Sequence, residues 1–206
     1  MKKKKLKKII IWALVALAVI VFVVVPIFGP LNPLEVMLLR VKYPVYSSYG
    51  LFPAHVDTLG PLNVEGAIMF SDTILHIRVT DQTETSGVLP DSSRWTAEVI
   101  EDPSGTFQPG ESIWVVLSKS SEGKRPELQN GSEYLVMGGF DEDMEKHFHV
   151  NSLGMFYVTF TGHALAASDE GNRSFSGEKA DVVVDTVYQI MQRYKEKRAA
   201  RETAQE

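Results

Sequence analysis

Thr73-Ile-Leu-His-Ile-Arg-Val-Thr80 is the stretch on which the fold turns. Leu75, Ile77 and Val79 alternate with His76 and Arg78. A period of two sends successive side chains to opposite faces of an extended chain, so the segment reads as a strand with one buried and one polar face. The same grammar recurs downstream. Arg94 to Glu101 groups Trp95, Ala97 and Val99, and Glu111 to Ser118 groups Ile113, Val115 and Leu117 opposite Trp114 and Val116. Apolar residues on both faces predict that this last segment is a central, covered strand. Tyr134 to Met137, Lys146 to Val150 and Leu153 to Thr161 complete the set, with Phe156, Val158 and Phe160 aligned in the last. Turn residues separate the runs: Asp102-Pro-Ser-Gly105, Pro109-Gly110, Asn130-Gly131, Gly138-Gly139 and Asn151 to Gly154. Short strands so spaced predict a mainly β domain, a sandwich or small barrel.

The chain then changes period. Val183, Val187, Ile190 and Tyr194 fall on one helical stripe, with Ser176 as the expected cap and Glu178 in the first turn. Lys195, Lys197, Arg198 and Arg201 crowd the last turns, where positive charge suits the helix dipole. A stripe this narrow needs a sheet to dock on.

On the other side of the β segments lies a proline-rich stretch, holding six of the ten prolines between Pro26 and Pro61. Within it Leu34, Met37, Leu38 and Val41 predict a short helix that Pro44 stops, and Tyr43, Tyr46 and Tyr49 follow. Before it, residues 9–34 carry no charge, and six lysines stand in the first eight positions. Residues 9–28 amount to 20 positions, roughly 30 Å of helix, enough for a hydrocarbon core. Lysines stay cytoplasmic, so the expectation is a single-pass signal-anchor at the cell membrane, N-terminus inside and the C-terminal domain extracytoplasmic. A cleaved signal peptide is the rival, but its core is shorter and its exit carries small residues, where this chain has Val23-Val-Val-Pro-Ile-Phe-Gly-Pro30. The expected organisation is a basic tail over 1–8, an anchor over 9–28, a stalk over 29–61, a β domain over 62–175 and a helix with tail over 176–206.

Composition narrows the partners. Without the six tail lysines, 15 basic residues face 26 acidic ones, a net charge near −11. Such a surface repels polyanions, which argues against nucleic acid. There is no cysteine, hence no lipoprotein attachment, no disulfide and no thiolate nucleophile or ligand.

The strand series resembles a broad group of secreted or membrane-anchored bacterial β-domains. The similarity lies in Ser71 to Thr80, Ala97 to Asp102, Phe107 to Val115, Leu128 to Val136 and Gly154 to Val158, spanning Ser71 to Gly162. It implies an OB-type five-stranded barrel, as in netrin-like and metalloprotease-inhibitor modules. The cysteines those inhibitors depend on are missing here, so inhibition does not carry over, and no catalytic residue or cofactor comes with the resemblance.

Two clusters are candidate sites. Asp141-Glu-Asp-Met-Glu-Lys-His-Phe-His149 sets His147 and His149 on one face of a strand after an acidic loop, so His147, His149, Asp141 and Asp143 are candidate ligands for a divalent metal. The plainer reading is an exposed acidic loop feeding a strand with a polar face. Trp114, Met155 and Tyr157 fall off the main core stripes and form a candidate binding surface, unless the terminal helix or stalk covers them. No Gly-x-Ser-x-Gly elbow and no phosphate-binding glycine loop occurs. The expected function is a non-catalytic binding or accessory domain of the bacterial cell envelope, contacting an envelope protein or wall component. The alternative is a metal-dependent or hydrolytic envelope enzyme using residues 141–149.

Overall fold

The computed structural model describes residues 2–20, 37–38, 41–43, 64–83, 92–118, 128–140, 146–166 and 175–204. The chain divides into two compact units, Met1–Pro44 and Val45–Glu206.

In the first unit, helix α1 spans Lys2–Val19. Its side chains from Lys8 on are exposed, Trp12 by 71%. Among the described residues no helix is long and apolar enough to cross a membrane. Lysines fill the opening turns of α1, and residues 21–28 of the expected span lie outside the described residues. Of the short helix expected before Pro44, Met37, Leu38, Val41 and Lys42 are described and helical. Tyr46 and Tyr49 lie outside the described residues.

The second unit is mainly β. Helix α2 (Val64–Met69) precedes six strands: β1 (Thr73–Thr83), β2 (Ser92–Glu101), β3 (Ser112–Ser118), β4 (Glu133–Phe140), β5 (His147–Val158) and β6 (Ala164–Ala166). Helix α3 (Ala180–Thr203) ends the fold. Strands β1, β2 and β3 form an antiparallel meander, β4 pairs with the free edge of β1, and β5 pairs antiparallel with β4. Parallel pairing of β3 with β5 then closes a five-stranded barrel. Closure removes both sheet edges of the five strands.

Register assigns the faces, because directly paired residues share one. Leu75 faces Val136, Ile77 faces Val99 and Tyr134, and Ala97 faces Ile113. Trp95 faces Val115, which faces Phe148, while Val136 faces Met155 and Tyr134 faces Tyr157. All are buried, and together they fill the barrel. The opposite face of β1, β4 and β5 offers Ile74, Leu135, Met137, Phe156 and Val158 to α2 and α3, which contribute Ala67, Ile68, Val183, Val184, Val187 and Met191. There are therefore two apolar layers, one inside the barrel and one between barrel and helices.

Several expectations are corrected. Asn151 to Gly154 does not end a strand; β5 runs straight through it. Val136 pairs with Met155 but Gly138 pairs with Val150, so the extra residues bulge from β5 at a barrel corner. Gly154 serves close approach rather than a turn, since a Cβ there would press on Met137. Gly138-Gly139 likewise lies inside β4, where a Cβ on Gly138 would strike the His149 carbonyl. Ser176 does not cap α3: Lys179 occupies that position without a side-chain cap, and Ser176 Oγ accepts the Ala166 amide at 3.0 Å. Phe160 is 57% exposed rather than in the core. The turns at Gly105, Gly110 and Gly131 are formed as expected, with φ of 72°, 87° and 78°.

Candidate functional site

Away from the end of β5 that packs on the helices, the outer face of β2, β3 and the start of β5 carries a series of side chains in register. Thr96 and Trp114 are registered across β2 and β3, as are Arg94 and Val116. Trp114 is registered with His147 across β3 and β5, and Val116 with His149. The Arg94 guanidinium lies over the Trp114 ring, 4.3 Å from its centroid. On the other side the His147 ring stacks on Trp114 at 6.2 Å and 26°. Arg94, Trp114 and His147 are all half-buried, and Arg94 Nε is enclosed with no partner among the described residues. A cation held over an indole is stabilised by the ring quadrupole, and such a rigid aromatic platform offers a flat face for stacking.

Lys146 anchors this face. Its backbone sits in the left-handed region with φ 66°, a conformation costing a non-glycine residue about 1–2 kcal/mol. Its carbonyl accepts the Trp114 amide at 2.8 Å, fastening β5 to β3 where the barrel closes. Its ammonium pairs with Glu111 at 3.0 Å. That bond, with the Gln108 amide donating to the same carboxylate, holds the Glu111 pKa below the usual carboxylate value.

A second polar row crosses β1, β2 and β4. Glu133 accepts Arg78 Nη2 at 2.8 Å and shares a hydrogen bond with His76 Nε2 at 3.1 Å. Burial holds the His76 pKa below its ordinary value, opposed by the Glu133 charge and hydrogen bond and assisted by Arg78. Glu101, at the end of β2, is pushed the other way, first by burial and then by Asp185 and Asp181 of α3.

The expected site residues separate. His147 and His149 stand two apart on β5, facing outward, as the alternation requires. Asp141 and Asp143 lie outside the described residues, and among those described no group of three or more metal-ligating side chains forms. Of the candidate surface only Trp114 is on the outer face. Met155 and Tyr157 are covered, 1% and 9% exposed, because they face Val136 and Tyr134 inside the barrel rather than the terminal helix. Tyr157 packs edge-on against Tyr134 at 5.5 Å. The period-two reading put them off the core because it presumed one buried face, whereas a barrel wrapped by helices buries both. Arg94 and Lys146 escaped the sequence reading. Arg94 lies on the polar side of its strand, and only register brings it to Trp114; nothing local marks Lys146 as left-handed.

The chain matches no protein-family profile and no curated protein. Fold and face together define a small closed β-barrel, helix-packed on one side and presenting a cation–aromatic surface on the other.

Proposed function

We propose that this chain is a membrane-anchored, extracytoplasmic, non-catalytic binding domain of the bacterial envelope, with an OB-type barrel presenting its β2–β3–β5 face to an envelope protein or wall component. The observation that carries the reading is the Arg94–Trp114–His147 stack on that face, since strands 2 and 3 are where barrels of the OB type take their ligands. The closing β3–β5 pair supports the OB assignment. The lysine-led apolar run of residues 9–28 supports the anchor.

Two measurements test it. Protease shaving of intact cells should remove the C-terminal domain; full protection of that domain sinks the topology. Crosslinking of the full chain in cells should enrich one envelope component, and Arg94→Ala and Trp114→Ala should lose it while keeping the melting temperature. Equal enrichment by both variants overturns the assignment of the face.

A further inference from the structure

Away from that face, α3 outruns the barrel: Met191 is its last buried residue, and the remaining turns to Thr203 overhang α2 and the start of β1. A groove of about 620 Å³ opens there, within the range of small-molecule sites. Ile68, Met191 and Tyr194 form its apolar wall. Its rim is unusual on two counts. Phe70 and Met69 are 82% and 54% exposed, and Lys195, Lys197, Arg198 and Arg201 line the α3 side.

The bland account is that terminal cations answer the helix dipole. It leaves the exposed Phe70 and Met69 unexplained, and also Ser71. Ser71 is one of the lining residues and only 5% exposed, and its enclosed hydroxyl has no hydrogen-bond partner among the described residues. A buried hydroxyl without a partner costs stability unless something supplies one. Charge also selects the occupant. Asp72 is the one acidic residue among the described lining residues; its carboxylate leans over Gly139, and its carbonyl takes the Lys195 ammonium at 2.8 Å. Arg198 is paired with Glu202 at 3.1 Å. Among the described residues no ion pair engages Lys197 or Arg201, which leaves both to meet an anion in a domain whose overall charge is strongly negative.

From this we infer that the groove binds a phosphate-headed lipid, with its acyl part on Ile68, Met191 and Phe70 and its head between Lys197, Arg201 and the Ser71 hydroxyl. Apolar side chains beside a row of cations are how amphipathic surfaces engage anionic lipid. The proposed envelope location explains where such lipid is met, but binding of monomeric lipid does not depend on it.

The test uses the full chain in zwitterionic-lipid nanodiscs, titrated with six-carbon phosphatidylglycerol below its micelle concentration and followed by NMR. Saturable binding is expected. At about fivefold per cation, Lys197→Gln/Arg201→Gln weakens it about 25-fold, and Ser71→Ala and Phe70→Ser weaken it without lowering the unfolding midpoint. Six-carbon phosphatidylcholine should bind at least tenfold more weakly. Equal binding of the choline lipid, of hexanoate or of inorganic phosphate alone, or unchanged binding by the double variant, overturns the inference. These outcomes leave the topology and crosslinking tests untouched.

Discussion

Gly138→Ala tests the barrel corner directly. A Cβ at this position would fall well inside contact distance of the His149 carbonyl oxygen, 2.9 Å from its carbon and 3.1 Å from Phe148 Cε1. The obstacle is backbone of the neighbouring strand, so no rotamer change relieves it. β5 must retreat by about an ångström, against an overpacking cost of about 1–3 kcal/mol. Retreat also weakens the Gly138–Val150 and Gly139–His149 pairings, about 1 kcal/mol for each hydrogen bond lost. Alanine recovers about 0.4–1 kcal/mol from the unfolded chain. The net destabilisation is about 2–3 kcal/mol, which at a urea m-value of about 2 kcal/mol/M lowers the midpoint by about 1–1.5 M. Gly105→Ala is the control: its φ is 72° and a Cβ there meets nothing within 4 Å, so only the left-handed strain of about 1 kcal/mol applies. Tryptophan fluorescence follows both titrations. If Gly138→Ala unfolds at or above the midpoint of the unaltered chain, the close approach of β5 to β4 is wrong.

His76 and Glu101 give opposite pH signatures. With the His76 pKa lowered by burial, the unfolded chain holds more protons between the folded value and about 6.5. Its contribution is therefore complete above pH 6.5 and lost as pH falls through the folded pKa, and His76→Gln should flatten that acid limb in urea midpoints taken from pH 4 to 8. Glu101 has a raised pKa, so its favourable contribution exists at acid pH and is lost as pH rises through the folded value. Glu101→Gln should accordingly raise the midpoint at pH 7 and leave it unchanged at pH 4; a loss at pH 7 contradicts the repulsion from Asp181 and Asp185. Tyr134 Oη accepts the Gln129 amide at 3.0 Å, so Tyr134→Phe should cost about 1 kcal/mol in the same assay. Under the binding reading, zinc, copper, nickel and calcium leave the melting temperature of the unaltered chain and of His147→Ala/His149→Ala alike; a metal-induced rise abolished by the double variant favours the enzyme alternative.

Much of the β domain was legible in the residues. Alternation located β1, β2 and β3 to within three positions, because each carries a run of apolar residues on one face, and the terminal helix declared itself through Val183 and Val187. Asn151 to Gly154 misled, since bulge and turn use the same small polar residues. Helix α2 went unseen because six residues are too few for a helical period to emerge. The groove under α3 was invisible for another reason: Arg201 is far along the chain from the adjacent Phe70 and Ser71, and each is unremarkable singly.

What the sequence determined by itself were local quantities: strand periodicity, the turn glycines, the apolar run behind its lysines and the exclusion of thiol chemistry. Each depends on neighbours in the chain, so order along it suffices to read it. Tertiary structure alone decided which strands meet. The β4–β5 pairing turned Met155 and Tyr157 inward, the β2–β3 register set Arg94 beside Trp114, the β3–β5 closure brought His147 to the same ring, and the docking of α3 put its end beside Phe70. Pairing across long stretches of chain is chosen by the summed burial of two apolar layers, and that sum is a property of the whole barrel, which no segment carries.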